Sequence, residues 1–340
     1  MGEGVTNGES AKLTALDPDV TAGLNTDLAA VEQIIRDAVK CDVPLLHEAS
    51  RHLMDAGGKR HRPLLTLLAA RFGNASDPDV LRAAAAVELV HIAALCHDDV
   101  LDKAALRRGV PSVNARWGEP VAILTGDFLF SQAFLLLAVV PSQAARLEVN
   151  TFAELVTGQF REMAGPAPEE DPLDYYVTMA TEKTASLMRS CVRLGALTSG
   201  ADETAVRALE RFGEALGVAF QITDDLLDLS ESAQKSGKRP GADLNKNAPA
   251  LPLLYAVRDT GPASDRLREL LESVPEGNGL DDDAREEALG LLRSHPALDR
   301  TREQLETYVQ RAKDALAPLP EGPARDGLAA MCVAVAHRAG

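Results

Sequence analysis

The sequence predicts an all-α fold, a large helical bundle of about a dozen helices. Three observations carry that reading. Apolar residues recur at helical spacing from residue 24 onward. Polar residues followed by proline repeatedly mark helix starts. Several stretches of good helix formers are too long for strands, and no Asn-Gly or Asp-Gly pair flanked by alternating residues marks a hairpin.

Residues 1–23 are rich in Gly, Thr, Asp and Asn without periodicity, and read as a flexible tail. Residues 24–340 read as one all-α domain, because no linker composition divides them. Leu28, Val31, Ile34, Ile35, Ala38 and Val39 form the first apolar stripe. Asp77-Pro78, Glu119-Pro120 and Asp171-Pro172 pair a cap with proline, and Ser142 and Asp202 are further caps. Between them, long helices are expected over 80–102, 121–140, 143–163, 173–199 and 203–229. Several are apolar on more than one face, as central helices are. The last third is more polar and broken by Gly and Pro, at 261–262, 275–279 and 318–323, so shorter outer helices are expected there.

Composition narrows the function. Lys and Arg number 35 against 51 Asp and Glu, a formal charge of −16, which argues against wrapping nucleic acid. Cys41, Cys96, Cys191 and Cys332 form no CxxC pair, so no zinc cluster is expected. The N-terminus has no basic segment followed by an apolar one, and the apolar run at 133–140 falls short of the ~20 residues of a span. A cytoplasmic protein without a membrane span is expected.

Two carboxylate clusters carry the chemistry. Asp98, Asp99 and Asp102 form one DDxxD; Asp224, Asp225 and Asp228 form the other. Each follows an apolar helical run, and each places its first and last aspartates at i, i+4 on one face. Such carboxylates repel unless a cation lies between them, and all-oxygen ligands suit a hard cation such as Mg²⁺, which also takes phosphate oxygens. Two basic knots flank the first cluster: Gly57-Gly58-Lys59-Arg60-His61-Arg62-Pro63 upstream and Arg107-Arg108-Gly109 downstream. In an acidic chain these point to an anion held beside metal, and a diphosphate fits. His91 lies two turns before Asp98 on its face, and Gln221 three residues before Asp224. Lys183-Thr184 opens an otherwise uncharged stretch, and Lys238 sits in a Gly-rich turn.

The pattern resembles the trans-polyprenyl diphosphate synthase family. The matching segments are GGKRHRP (57–63), VELVHIAALCHDDVLD (87–102), RRG (107–109), LTGDFLF (124–130), EKTASL (182–187), FQITDDLLD (220–228) and SGKRPGADL (236–244). The resemblance implies a helical bundle around a deep central cavity, working as a homodimer. It implies head-to-tail condensation of isopentenyl diphosphate with an allylic prenyl diphosphate, with three Mg²⁺ ions when substrate is bound. Asp98, Asp99, Asp102, Asp224, Asp225 and Asp228 match the metal-binding positions. Lys59, Arg62, His91 and Arg108 match those for isopentenyl diphosphate. Arg107, Lys183, Thr184, Gln221 and Lys238 match those around the allylic substrate. The resemblance implies as well that the Thr184 and Gln221 dipoles face the allylic cation and that the released diphosphate takes the proton.

One stretch departs from the family. After Asp243-Leu244 the family carries Gly, often Lys, and Thr before Leu-Pro; here those positions are Asn247, Ala248 and Ala250. A diphosphate contact is thereby lost unless Lys246 supplies it. Val90, Ala93 and Ala94 match the wall of the chain-length pocket. Two alanines where short-chain relatives carry a bulky aromatic leave its first layer open, so a medium- or long-chain product is expected, with Leu129, Gln132, Phe134 and Leu136 as a deeper floor. The alternatives are a geranylgeranyl diphosphate synthase, a non-catalytic partner subunit and a class I terpene cyclase; the second DDxxD and the basic set argue against the cyclase.

Overall fold

In a computed structural model the described residues are 18–140, 142–229, 241, 244, 250–273 and 280–338. The N-terminal half holds α1 (Pro18–Ala38), α2 (Pro44–Asp55), α3 (His61–Ala70), α4 (Pro78–Leu101), strands β1 (Leu106–Arg107) and β2 (Val110–Pro111), α5 (Val113–Trp117), α6 (Glu119–Leu137) and α7 (Ser142–Ala164). There follow α8 (Pro172–Ala180), a π-helical turn (Thr181–Ala185), α9 (Ser186–Thr198), α10 (Glu203–Asp228), α11 (Leu251–Arg258), α12 (Pro262–Glu272), α13 (Asp282–Arg293), α14 (Ala297–Ala315) and α15 (Pro323–Arg338). The all-α expectation holds. Helix α1 starts at Pro18, ahead of the tail boundary expected at residue 23, because proline suits a first helical turn.

The helices gather into two compact units. The first comprises the chain up to Phe152, Leu187–Gly213 and Ala312–Ala334; the second comprises Ala153–Ser186, Glu214–Arg311 and the chain from Val335. In the first unit α4 is the centre, packed by α1, α3 and α6. Asp77 caps it, its carboxylate accepting from the Asp79 amide at 2.9 Å, with Pro78 in the first turn. Apolar residues surround α4 on nearly all sides, and 83–90 are all buried. Asp171 and Asp202 cap as expected, accepting from Leu173 and Ala205 amides at 2.8 Å each. Glu119 does not: Gly118, at φ 90°, is the cap of α6, and Glu119 lies in the first turn, where the helix dipole favours a carboxylate. In the second unit Leu253, Leu267, Leu270, Leu289 and Leu292 of α11–α13 close a separate apolar core.

By length and composition α4 and α6 would each suffice to cross a bilayer. Helix α4 is mostly buried, whereas α6 turns Leu124 and Leu135 outward, each more than half exposed. The free cysteines Cys96, Cys191 and Cys332 are buried, and burial pushes the Cys96 thiol up to about 12.

Two features depart from the sequence reading. A short hairpin, Leu106 opposite Pro111 and Arg107 opposite Val110, turns at Arg108 and Gly109. Both have positive φ, 55° and 78°, as a type I′ turn requires. Two-residue strands carry no alternation, and Arg-Gly is not a common turn pair, so the pattern was invisible. The helix expected over 173–199 is interrupted by the π turn at Thr181–Ala185. Glycines let neighbouring helices touch its backbone: a Cβ at Gly158 would lie 2.3 Å from the Lys183 nitrogen, and one at Gly217 2.4 Å from the Ala185 Cα.

Glu148 of α7 is fully buried and accepts from the Ser190 hydroxyl at 2.5 Å. Burial raises its carboxyl from an ordinary 4.5 to about 7, only partly opposed by that bond. The folded chain therefore holds a proton there that the unfolded chain releases near pH 4.5. Stability from this group is present below that pH and is lost as pH rises to about 7. The full cost is roughly 3 kcal/mol. Glu148→Gln is expected to raise the denaturation midpoint at pH 8 and leave it little changed at pH 4.5. Equal shifts at both values in urea melts would count against this account.

Candidate active site

The first carboxylate cluster sits at the C-terminal end of α4, where the helix dipole already concentrates negative charge. Asp98 is half-buried and Asp102, the C-cap, is exposed. Asp99 points inward and is 0% exposed. It accepts from Arg107 Nε at 2.7 Å and Nη2 at 2.5 Å, while its backbone oxygen accepts from Asn114 Nδ2 at 3.1 Å. The hairpin thus hangs from Asp99, and its turn projects Arg108 back to the glycine loop. Arg108 Nη1 donates to the carbonyls of Leu53 at 2.7 Å and Gly57 at 2.6 Å.

Arg60, the left-handed cap of α3 at φ 50°, donates to Gly57 O at 3.2 Å, Met54 O at 3.1 Å and Glu88 at 3.1 Å, and also pairs with Glu32. Buried Glu88 lies 3.7 Å from Arg108 Nη2 as well. Burial raises its carboxyl pKa against the pull of Arg60 and Arg108. Arg60 entered the sequence reading only as part of the first basic knot and Glu88 not at all, although a lone carboxylate in the apolar run 83–90 was a readable signal. His91 feels Arg62, Arg108, Arg107 and Arg60; burial first, then those cations, holds its pKa well below the ordinary imidazole value. It is neutral at pH 7 and offers one donor and one acceptor. Arg62 is half-buried and Lys59 exposed. The structure therefore brings Arg62, His91, Arg107 and Arg108 into one basic cluster beside the first aspartates.

The second cluster repeats the arrangement at the end of α10. Asp224 is 46% exposed at its side chain, whereas Asp225 and Asp228 are buried. Asp225 accepts from the Tyr176 hydroxyl at 2.7 Å, the Leu251 amide at 2.9 Å and Gln221 Nε2 at 3.0 Å. Burial and Asp225 push the Tyr176 phenol far above its ordinary pKa, so it stays a donor. Gln221 Oε1 in turn accepts from Thr184 Oγ1 at 2.6 Å. Gln221 thus pairs with Asp225, one turn on, rather than with Asp224. Lys183, in the π turn, pairs with Glu162 of α7, and Arg161 pairs with Glu182 at 2.7 Å. π turns of this kind recur at functional sites. Lys238 and the Asn247 and Ala248 departures lie outside the described residues; Ala250 is the buried cap of α11.

Val90, Ala93 and Ala94 are buried on α4. Beside this end of α4 three phenylalanines gather: Phe130 lies 5.6 Å from the His97 ring, and Phe152 lies 4.0 Å from Phe130 and 6.3 Å from Phe134. Of the deeper floor positions read from sequence, Leu129 is buried and Gln132, Phe134 and Leu136 are partly so.

Among the described residues no three His, Cys, Asp or Glu side chains form a ready-made metal cage. The donor sets nevertheless fit Mg²⁺, which binds through one or two carboxylates and completes its shell with water and phosphate oxygens. Each cluster offers an outer carboxylate at a helix end, beside cationic side chains suited to phosphate.

An all-α chain with a carboxylate-rich end on each of two long helices, and arginines gathered beside one of them, has the isoprenoid synthase fold. The chain belongs to the polyprenyl synthetase family, whose model matches residues 43–287. It is 42% identical over 317 residues to the nonaprenyl diphosphate synthase of Mycobacterium tuberculosis (strain ATCC 25618 / H37Rv), covering 93% of each chain. It is 36% identical over 318 residues to heptaprenyl diphosphate synthase component 2 of Geobacillus stearothermophilus, covering 93% of this chain and 97% of that one. Its structure is similar to the polyprenyl synthase of Caulobacter crescentus CB15 complexed with calcium and isoprenyl diphosphate. That match has a TM-score of 0.88 at 30% identity, covering 99% of this chain and 100% of the other.

Proposed function

We propose that this chain elongates an allylic diphosphate by head-to-tail condensation with isopentenyl diphosphate, and releases a medium- or long-chain trans-polyprenyl diphosphate. The observation that carries the reading is the repeated design of the two aspartate clusters: an accessible outer carboxylate, Asp98 or Asp224, beside a buried one, Asp99 or Asp225, that anchors neighbouring site residues. Relatives named as nonaprenyl and heptaprenyl diphosphate synthases support the product class.

Asp98, Asp102, Asp224 and Asp228 would hold Mg²⁺, three ions when substrate is bound; a relative's calcium complex supports a divalent cation. Bound there, the metal would supply stabilisation of the negative charge that develops on the diphosphate leaving group. Asp99 and Asp225 are positioning residues in this reading, because Asp99 Oδ1 already holds Arg107 with two nitrogens, and both Asp225 oxygens are taken by Tyr176, Gln221 and Leu251. Lys59, Arg62, Arg108 and neutral His91 bind isopentenyl diphosphate. Arg107, Lys183 and Lys238 bind the allylic diphosphate, and the Thr184 and Gln221 oxygens face the allylic cation. The departing diphosphate takes the proton released after C–C bond formation, so no side-chain base is assigned. Val90, Ala93 and Ala94 flank the growing chain, with Phe130, Phe134 and Phe152 as its deeper floor. The protein works as a cytoplasmic homodimer, with the outward Leu124 and Leu135 of α6 covered by its second copy.

The test uses the single purified chain with Mg²⁺, labelled isopentenyl diphosphate and farnesyl diphosphate. A ladder reaching six or more isoprene units is the expected result. A stop at four units favours the geranylgeranyl reading and moves the floor up. No elongation by a folded chain with any primer sinks the catalytic reading and favours a partner subunit.

A further inference from the structure

Helix α15 ends on Arg338, and this side chain reaches the second carboxylate cluster. Arg338 Nη2 lies 3.3 Å from Asp224 Oδ1. The guanidinium centre stands 4.7 Å from the ring centroid of Phe220. Phe220 and Asp224 are i, i+4 neighbours on α10, so one face of that helix supplies both contacts. The last turn of α15 is seated beside it, with Thr223 Oγ1 3.4 Å from Val335 O. The guanidinium is therefore held by a ring, a carboxylate and a docked helix end.

Its hydrogen bonding is incomplete. Nη1 is buried and has no hydrogen-bond partner among the described residues. A charged donor left in that state costs more than a neutral one, and an anion's oxygen would remove the cost. A planar fork with one nitrogen donating to a carboxylate and the other without a partner is arranged to donate to a phosphate oxygen beside that carboxylate. Asp224 is accessible, as a shared position for a diphosphate would require.

We propose that Arg338 is a diphosphate-binding residue: Nη2 stays with Asp224 while Nη1 donates to an oxygen of the diphosphate held at the second cluster. The proposal rests on the reading of that cluster as part of the allylic-substrate site. It gives the C-terminal end of the chain a direct role in substrate binding. Lysine at the position would keep the charge and lose the fork and much of the ring contact.

The probe is inorganic pyrophosphate, titrated calorimetrically into the full chain with Mg²⁺. Arg338→Gln is expected to weaken binding tenfold or more, and Arg338→Lys to recover part of the loss. In steady state Arg338→Gln raises KM for the allylic diphosphate and leaves KM for isopentenyl diphosphate unchanged. Circular dichroism melts check that both variants fold; should Arg338→Gln fail to fold, Arg338→Lys decides, because a fork lost with the charge kept still weakens pyrophosphate by several-fold. A folded variant that binds as tightly as the wild type overturns the proposal alone. A wild-type chain that takes up no pyrophosphate with Mg²⁺ overturns the parent reading with it.

Discussion

Asp98→Asn is expected to slow elongation on the order of 10³-fold, or about 4 kcal/mol of transition-state stabilisation. The substitution keeps the shape of the side chain and removes one charged oxygen donor to a hard cation, for which a neutral amide is a weaker ligand. The effect belongs in the chemical step, because negative charge on the leaving group grows as the C–O bond breaks. Single-turnover rates at saturating substrates measure it. Fold is expected to survive. Asp98, Asp99 and Asp102 crowd the negative end of the α4 dipole, so neutralising one of them relieves repulsion in the metal-free chain. A melting temperature equal to or slightly above wild type, with activity lost, is the predicted pair of results. Asp224→Asn is expected to behave alike in the second unit. Full activity in either variant, or activity lost only because the chain unfolds, would remove these aspartates from the mechanism.

The neighbouring substitution carries the opposite signature. Asp99→Asn is expected to destabilise the folded chain by roughly 3 kcal/mol. Asp99 is wholly buried, and Arg107 reaches it with two nitrogens. Removing the carboxylate's charge leaves a guanidinium, 19% exposed, without its counter-charge. The hairpin that carries Arg107 and Arg108 loses its anchor at the same time. A fall in the urea midpoint, with the slope unchanged, measures the loss. Activity per folded molecule should fall less than in Asp98→Asn and recover partly at low temperature. An unchanged midpoint would mean that the pair contributes nothing net, as exposed ion pairs often do. The two variants together separate a metal ligand from a positioning residue one position away.

Much of the fold was legible because helical periodicity is a local property. The ranges 80–102, 143–163 and 203–229 each emerge within two residues of α4, α7 and α10. Asp77, Asp171 and Asp202 cap their helices because a side-chain oxygen needs only an amide two or three residues on. The π turn was not legible: Thr181–Ala185 holds no Gly or Pro to mark a break, and the close neighbours are Gly158 and Gly217, which lie far away in sequence.

The helical class, the two carboxylate clusters and the basic knots are written in local sequence, because charge, spacing and capping act within a few residues. Motif resemblance located the family from the same local information. Only the tertiary structure separated the aspartates within each cluster. Asp98 and Asp99 are adjacent and chemically identical, yet one stands at the surface of a helix end and the other meets Arg107 inside. Likewise Asp224 is accessible, whereas Asp225 is consumed by Tyr176, Gln221 and the amide of Leu251. Burial and partners decide whether a carboxylate coordinates, positions or keeps its proton, as Glu148 does, and those are set by residues that only folding brings near.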